Sequence, residues 1–514
     1  MYQNSRLKGS VKWSYILAPV AGLLAPFALA PYNFWPLSIV SLALLLLSLQ
    51  QASRKQGLAL GWLYGLGLYG AGASWVYHSI HDYGHAPAPL AAALTLLFVA
   101  TLALAFTASF GYIFARFFSA KRLGNLLAFP ALWVLFEWSR SWFLTGFPWL
   151  FSGYAHTDTA LASLAPVLGV YGISFSVALS ASTLYLLIIE LRKNKLSLTS
   201  ALYSALLIMP WLVSLLLTNI SWTQTQDQSI SVTLVQPNIT QDLKWQPEQR
   251  NKTLQLLYQQ TANHLDSDII IWPENAVPLL YDRAKPFLDD ITELANPSGA
   301  TVITGIPYWK INDDETETYH NSITALGSGS GIYHKQKLVP FGEYVPLQQV
   351  LRGLIDFFNL PMSDFRPGPS EQAPLIANIG SREIKIAPYI CYEIVYPDFV
   401  RDLAQQSDLL LTISDDSWFG TSAGPLQHLQ MARMRAIENG RYLIRVTNTG
   451  VTAIINHYGQ IEVQAEPFIQ QNLTGTVRVA SGHTPYSKWG SWPVLLACLT
   501  LLIFVWGRKG RLPE

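Results

Sequence analysis

Three separated stretches each set a functional group at the end of an apolar run: Ile269-Ile270-Ile271-Trp272-Pro273-Glu274, Tyr333-His334-Lys335-Gln336-Lys337-Leu338-Val339-Pro340-Phe341-Gly342-Glu343, and Pro388-Tyr389-Ile390-Cys391-Tyr392-Glu393. Pro273 has no N–H to continue a ladder, so Glu274 falls at the C-terminal edge of the first strand. A carboxylate, an ammonium and a thiol are chemically complementary. The ammonium lowers the pKa of a neighbouring thiol, and a carboxylate in hydrogen-bond reach takes its proton. Once sulfur has attacked a carbonyl, a fixed lysine stabilises the charge that builds on oxygen. Cys391 is therefore the candidate nucleophile, Glu274 the base and Lys335 the oxyanion stabiliser. Read singly, each has a plainer interpretation: a packing cysteine, a capping or surface glutamate, a solvated lysine. The combination and its order carry the reading.

Those strands need a scaffold, and the composition says where it stands. Apolar residues make up 50% of the 514 and charged residues only 13%, so part of the chain is expected in lipid. The net charge of +1, with no basic run, excludes a phosphate-tracking surface, and no nucleic-acid partner is expected. The two cysteines, Cys391 and Cys498, make no disulfide framework, and each is expected to be a free thiol. The first apolar run continues into Pro31-Tyr32-Asn33-Phe34-Trp35-Pro36 without a small-residue cleavage site, which reads as a retained anchor.

A bilayer core needs roughly 20 apolar residues in a helix. Such stretches lie near 13–31, 35–52, 57–77, 88–115, 123–139, 163–189, 198–218 and 491–507, which predicts eight transmembrane helices. The cations divide between alternate loops. Arg6, Lys8, Lys12, Arg54, Lys55, Arg116, Lys121, Arg122, Arg192, Lys193, Lys195, Arg508, Lys509 and Arg511 fall on one side, against Arg140 alone in the short loops of the other. By the positive-inside rule both termini are cytoplasmic and the long segment after residue 222 lies outside. The expected organisation is a seven-helix membrane domain at 1–222, an extracytoplasmic catalytic domain at 223–488, and an eighth helix with a cytoplasmic tail at 489–514.

The outer segment alternates β-rich runs with polar helical stretches, as an α/β domain does. Strands are predicted at Ser229–Gln236, Asp268–Trp272, Thr301–Ile306, Glu383–Cys391, Leu409–Ser414, Tyr442–Thr447, Val451–Asn456 and Thr474–Val479, and helices at Pro247–His264, Arg283–Ala295 and Pro425–Asn439. The last has Pro at its start and Gly440 just past its end, the expected asymmetry of helix termini.

The ordered set WPE, YxKxxLVPFGE and CYE resembles the nitrilase, or carbon–nitrogen hydrolase, superfamily with its Glu-Lys-Cys triad. Asp416-Ser417-Trp418-Phe419-Gly420 through His428, Met431-Ala432-Arg433 and Arg445-Val446-Thr447-Asn448-Thr449-Gly450 extend the likeness. With seven spans before and one after, the whole chain resembles the apolipoprotein N-acyltransferase family. The resemblance implies a polytopic α-helical membrane domain plus an α/β nitrilase-like αββα sandwich, with Glu274 as general base, Lys335 as oxyanion stabiliser and Cys391 as nucleophile. It lends supporting roles to Glu343, Tyr392 and Glu393, to Asn321, and to Trp245 as an aromatic on a loop near a lipid entrance. It departs at Asp415 and Ser417, where the family commonly has Asn and Ala. The implied donor is a phospholipid such as phosphatidylethanolamine, and the implied acceptor is the N-terminal S-diacylglyceryl cysteine of a diacylated apolipoprotein. No cofactor or metal is implied, and the expected location is the bacterial inner membrane.

Some motifs stay open. Ser74-Trp75-Val76-Tyr77-His78-Ser79-Ile80 and Gly146-Phe147-Pro148-Trp149 match membrane-part signatures, and read equally as interfacial anchors. His78, His81 and His85 have helical spacing that suits a metal, or form a polar outer loop. The apolar stretch 347–369 dips toward a membrane or is a covering helix. Two rival functions also remain: a membrane-tethered amidohydrolase, and a receptor or scaffold with a relic triad.

Overall fold

The computed structural model describes residues 3–119, 121–193, 197–311, 317–340, 342–344 and 365–508, with side chains from residue 12 onward. Most of the stretch 347–369 therefore lies outside the described residues. The chain forms two compact units. Met1–Tyr77, Pro87–Ile220 and Trp489–Glu514 make one, and His78–Ala86 with Ser221–Lys488 make the other.

The first unit is helical. Helices occupy each of the eight apolar stretches, but among the described residues only Ala88–Phe117, Ala160–Leu191 and Leu198–Leu217 are long and apolar enough to cross a membrane, with shorter apolar helices at Pro36–Ser48 and Trp492–Gly507. The helix Arg54–Gly72 owes its modest hydropathy partly to glycine. Gly57, Gly61 and Gly65 recur every fourth residue, and a Cβ at Gly61 would stand 2.1 Å from the Thr107 carbonyl oxygen. Two helix backbones approach there as small residues permit. Trp149 is fully buried, with its ring 5.1 Å from that of Trp75. Interfacial anchoring is thus not its role.

The second unit is built from two mixed sheets. We number the strands β1 (Gln224–Gln236), β2 (Ile269–Ile271), β3 (Thr301–Ile311), β4 (Glu317–Gly327), β5 (Gly329–Ser330), β6 (Ile332–His334), β7 (Leu375–Ile379), β8 (Arg382–Ile390), β9 (Leu409–Ser414), β10 (Leu443–Thr447), β11 (Ala453–Ile455), β12 (Ile461–Gln464) and β13 (Gln471–Ser481). One sheet runs β13-β1-β2-β3-β4-β6 and the other β12-β11-β10-β9-β8-β7-β5. The inner triplets β1-β2-β3 and β8-β9-β10 are parallel. Parallel strands are covered on both faces and read as continuous apolar runs, as Ile269-Ile270-Ile271 and Leu409-Leu410-Leu411 do.

Period-two alternation sorts those runs between two cores. Ile269 and Ile271 point into a core shared with Leu409, Leu411, Ile413, Ile444 and Val446 of the other sheet. Ile270 points the opposite way, onto Leu257, Ala284, Leu288 and Ile291 of the helices Pro247–Ala262 and Tyr281–Ala295. Helices Pro397–Ala404 and Gly424–Asn439 belong to the second sheet, where the Tyr389 hydroxyl donates to the Val400 carbonyl at 2.6 Å. This is the helix–sheet–sheet–helix sandwich. The last helix ends at Gly440 with φ +61°, as the Pro and Gly at its ends predict. Strands β4 to β7 and β12 escaped the sequence reading, because they are very short or carry polar residues such as Glu317-Thr318-Tyr319-His320-Asn321.

Candidate active site

The parallel triplets deliver their C-terminal ends to one place, as open α/β sheets generally do for a ligand. Glu274 follows β2, Cys391 follows β8, Asp415 and Asp416 follow β9, and Asn448 follows β10. Lys335 comes after β6 and Asn321 lies within β4.

Glu274 can stand there because its neighbour has no side chain. A Cβ at Gly305 would meet the Asn275 N and the Pro273 O at 2.6 Å and the Glu274 Cα at 2.8 Å. Asn275 then turns the chain with φ +48°, a conformation that asparagine tolerates. Glu274 Oε1 accepts from Asn321 Nδ2 at 2.7 Å, and Oε2 from the Asp415 N–H at 2.9 Å. Lys335 Nζ stands 3.7 Å from Glu274 Oε1 and donates to Glu343 Oε1 at 2.8 Å. The same Asn321 amide reaches Glu343 Oε1 at 3.0 Å. Asn321 is thus a bridge between two carboxylates, a position that its place in a polar strand did not announce.

Cys391 is not the last residue of its strand, as the sequence suggested. β8 ends at Ile390, and Cys391 opens a tight turn through Val395 with φ +52°. That left-handed backbone is costly for a residue with a Cβ, by about 1–3 kcal/mol, and persists only where the surroundings impose it. Two groups impose it here. Glu393 Oε2 accepts from the Ile390 N–H at 2.8 Å, while its Oε1 accepts from the Tyr333 hydroxyl and the Gln336 and Lys337 N–H groups at 3.0, 2.7 and 3.1 Å. Glu393 therefore fixes the turn of the cysteine and the segment of the lysine together. From the other side, His428 Nε2 donates to the Cys391 carbonyl at 3.1 Å.

The electrostatics correct one expectation. Burial pushes the Cys391 thiol up, Glu274 adds to the rise, and Lys335 and a contact with Ser414 only oppose it. The thiol is not held as a thiolate; it needs a base at the moment of attack. Glu274 is itself raised by burial, against Lys335 and with Glu343. Burial would lower Lys335, but Glu343 and Glu274 outweigh it and keep the lysine a cation.

Beneath Cys391 lies a second charged group. Burial would raise Asp416, but Arg445 holds it below the usual carboxylate range. Arg445 Nη2 is 2.5 Å from Asp416 Oδ2, and Ser414 Oγ donates to Asp416 Oδ1 at 2.7 Å. His428 is lowered by burial and by Arg445, which fits a neutral ring with its proton on Nε2.

Tyr392, the middle residue of the CYE motif, is buried in the turn with its ring 5.4 Å from Tyr396. Trp245 is not among these groups. It follows the short helix Gln241–Lys244 and is 38% exposed. Its neighbour Lys244, to which the sequence reading gave no role, is buried and paired with Asp415. His78 pairs with Asp82 at 2.8 Å. The loop His78–Ala86 clusters with this unit, where Ser79 Oγ donates to the Trp418 carbonyl at 2.7 Å.

Comparison with known proteins finds relatives over nearly the whole chain. A family model described as the apolipoprotein N-acyltransferase N-terminal domain matches residues 21–183, and one described as carbon–nitrogen hydrolase matches residues 231–484. An apolipoprotein N-acyltransferase of Pseudomonas syringae pv. tomato is 50% identical over 493 residues, covering 96% of each chain. One of Pseudomonas aeruginosa is 49% identical over 499 residues, covering 97% of this chain and 96% of its own. A solved Saccharomyces cerevisiae member of branch 10 of the nitrilase superfamily is 16% identical with a TM-score of 0.36, covering 49% of this chain and 90% of its own.

Proposed function

The chain belongs to the apolipoprotein N-acyltransferase family, and from that premise we propose that its site carries an acyl chain on Cys391 from a phospholipid to the N-terminal amine of a diacylated lipoprotein. The observation that carries this reading is the left-handed Cys391 at the end of β8, electrostatically coupled to Glu274 and Lys335.

In the first half, Sγ attacks the ester carbonyl carbon of a phospholipid, for which phosphatidylethanolamine is the proposed donor. The thiol proton passes to Glu274, and the carbonyl oxygen takes its charge beside the Lys335 ammonium. The C–O bond breaks, Glu274 returns the proton to the leaving alkoxide, and a lysophospholipid departs. In the second half, the free α-amine of the S-diacylglyceryl cysteine attacks the thioester carbonyl, and Glu274 accepts the amine proton. The C–S bond breaks, sulfur recovers the proton, and an amide remains. The scheme is ping-pong, and it requires a thioester shielded from water between the two lipids. The buried positions of Cys391, Glu274 and Lys335 suit that requirement.

The proposal extends to topology. Eight helices at the apolar stretches, with domains at 1–222, 223–488 and 489–514, would span the inner membrane. Both termini would be cytoplasmic and the catalytic domain extracytoplasmic. The cation asymmetry of the loops supports this orientation. Trp245, exposed beside the site segment, is proposed to meet the incoming lipid.

Incubation of the purified chain with acyl-labelled phosphatidylethanolamine is expected to leave label on Cys391 that neutral hydroxylamine removes. Later addition of a diacylated lipopeptide is expected to move the label into a triacylated product seen by mass spectrometry. Label that resists hydroxylamine, or ammonia release from simple amides without acyl transfer, would overturn the reading.

A further inference from the structure

We propose that Lys244 is a second buried cation of this active site, a positioning residue that sets the base Glu274 through Asp415. An ammonium that is 3% exposed persists only when paired and hydrogen-bonded. Lys244 Nζ donates to the Glu274 carbonyl oxygen at 3.0 Å and to Asp415 Oδ2 at 2.8 Å. The N–H of that same Asp415 donates to Glu274 Oε2 at 2.9 Å. One ion pair therefore grips both the main chain and the carboxylate of the base.

Asp415 is itself tied down. Its Oδ2 also accepts from Gln241 Nε2 at 2.9 Å and Asn448 Nδ2 at 3.0 Å, and its Oδ1 accepts from Ser417 Oγ at 2.5 Å. The charge count points the same way. Glu274, Glu343 and Asp415 are buried carboxyls, faced by Lys335 and Lys244. Without Lys244, three carboxyls would share one cation, and Glu274 would lose readiness to hold its negative charge.

The chain around Lys244 supplies the link to substrate. Leu243 is 44% exposed and Trp245 38%, so the residues on either side present apolar surface while the lysine between them points inward. Lys244 thus acts on the chemical step rather than on lipid affinity. The inference rests on the acyl-transfer reading of Cys391.

The test is the rate of acyl-enzyme formation by the purified full chain in detergent, from labelled phosphatidylethanolamine over a donor series. Lys244→Met is expected to slow acylation at saturating donor by about 30-fold or more, with half-saturation moved by less than about threefold. Adding Asp415→Asn keeps the backbone N–H and removes the stranded charge, and is expected to restore the rate to within about fivefold of wild type. If Lys244→Met does not fold, Lys244→Arg carries the test, since a planar fork cannot place its donors where the ammonium did. It is expected to be slower by about fivefold or more. Acylation at the wild-type rate by either folded single variant, or a Lys244→Met, Asp415→Asn double variant no faster than Lys244→Met, overturns the inference. A wild-type chain that leaves no acyl group on Cys391 overturns the acyl-transfer reading itself, and this inference with it.

Discussion

Two buried charge clusters meet at Cys391, and they are built to opposite ends. Around Glu274, carboxyls outnumber cations, the base is raised by burial, and its contacts include the longer 3.7 Å approach to Lys335. Around Asp416, one arginine lies 2.5 Å from one carboxylate, which is held low, and the neighbouring histidine is kept neutral. In the first cluster burial raises both the Cys391 thiol and the Glu274 carboxyl, which favours a proton on either over a bare charge. In the second the proton has nowhere to go, so that cluster serves to hold the Cys391 backbone.

Substitutions in the first cluster are expected to remove chemistry and those in the second to remove fold stability. The largest effect is expected at the nucleophile. Cys391→Ala should lower triacylated product by about 10⁴-fold or more while leaving membrane extraction and the thermal midpoint near wild type. Product at wild-type level, followed by mass spectrometry, would sink the assignment. Lys335→Met should follow, with a loss of about 10²–10³-fold in acylation.

Arg445→Met tests the other cluster. It strands Asp416 in the interior and should cost about 3–5 kcal/mol of stability, read by thermal unfolding, whereas activity per folded molecule should fall only severalfold. A purely catalytic loss with an unchanged midpoint would erase the distinction. Glu393 offers the mildest probe, standing between the two. Burial raises its carboxyl from 4.5 to about 7. Because the folded pKa is raised, its contribution to stability is present below pH 4.5 and lost as pH rises through about 7. The thermal midpoint should decline over that window, and Glu393→Gln should flatten the decline. A slope unchanged by that substitution places the titration elsewhere.

Glu274 and Cys391 were legible as candidates because each follows an apolar run, and a strand's end is where a side chain leaves the sheet; Lys335 was legible through the YxKxxLVPFGE pattern. The runs themselves were legible because parallel strands are buried on both faces and leave continuous Ile and Leu. Strand β4 was not, since half of it is polar, and with it went the bridging place of Asn321.

What the sequence determined by itself was local: which residues are candidates for the chemistry, which strands present them, and where apolar helices lie. Tertiary structure alone decided the rest. The left-handed turn at Cys391 is imposed by Glu393 and by His428, and the latter stands 37 residues away. The buried pair of Lys244 and Asp415 spans 171 residues. Nothing in a short polar helix distinguishes a solvated lysine from one folded against a distant carboxylate, because burial depends on which strand ends converge. That convergence also reversed the expected thiol chemistry, since burial of Cys391 outweighs the nearby ammonium.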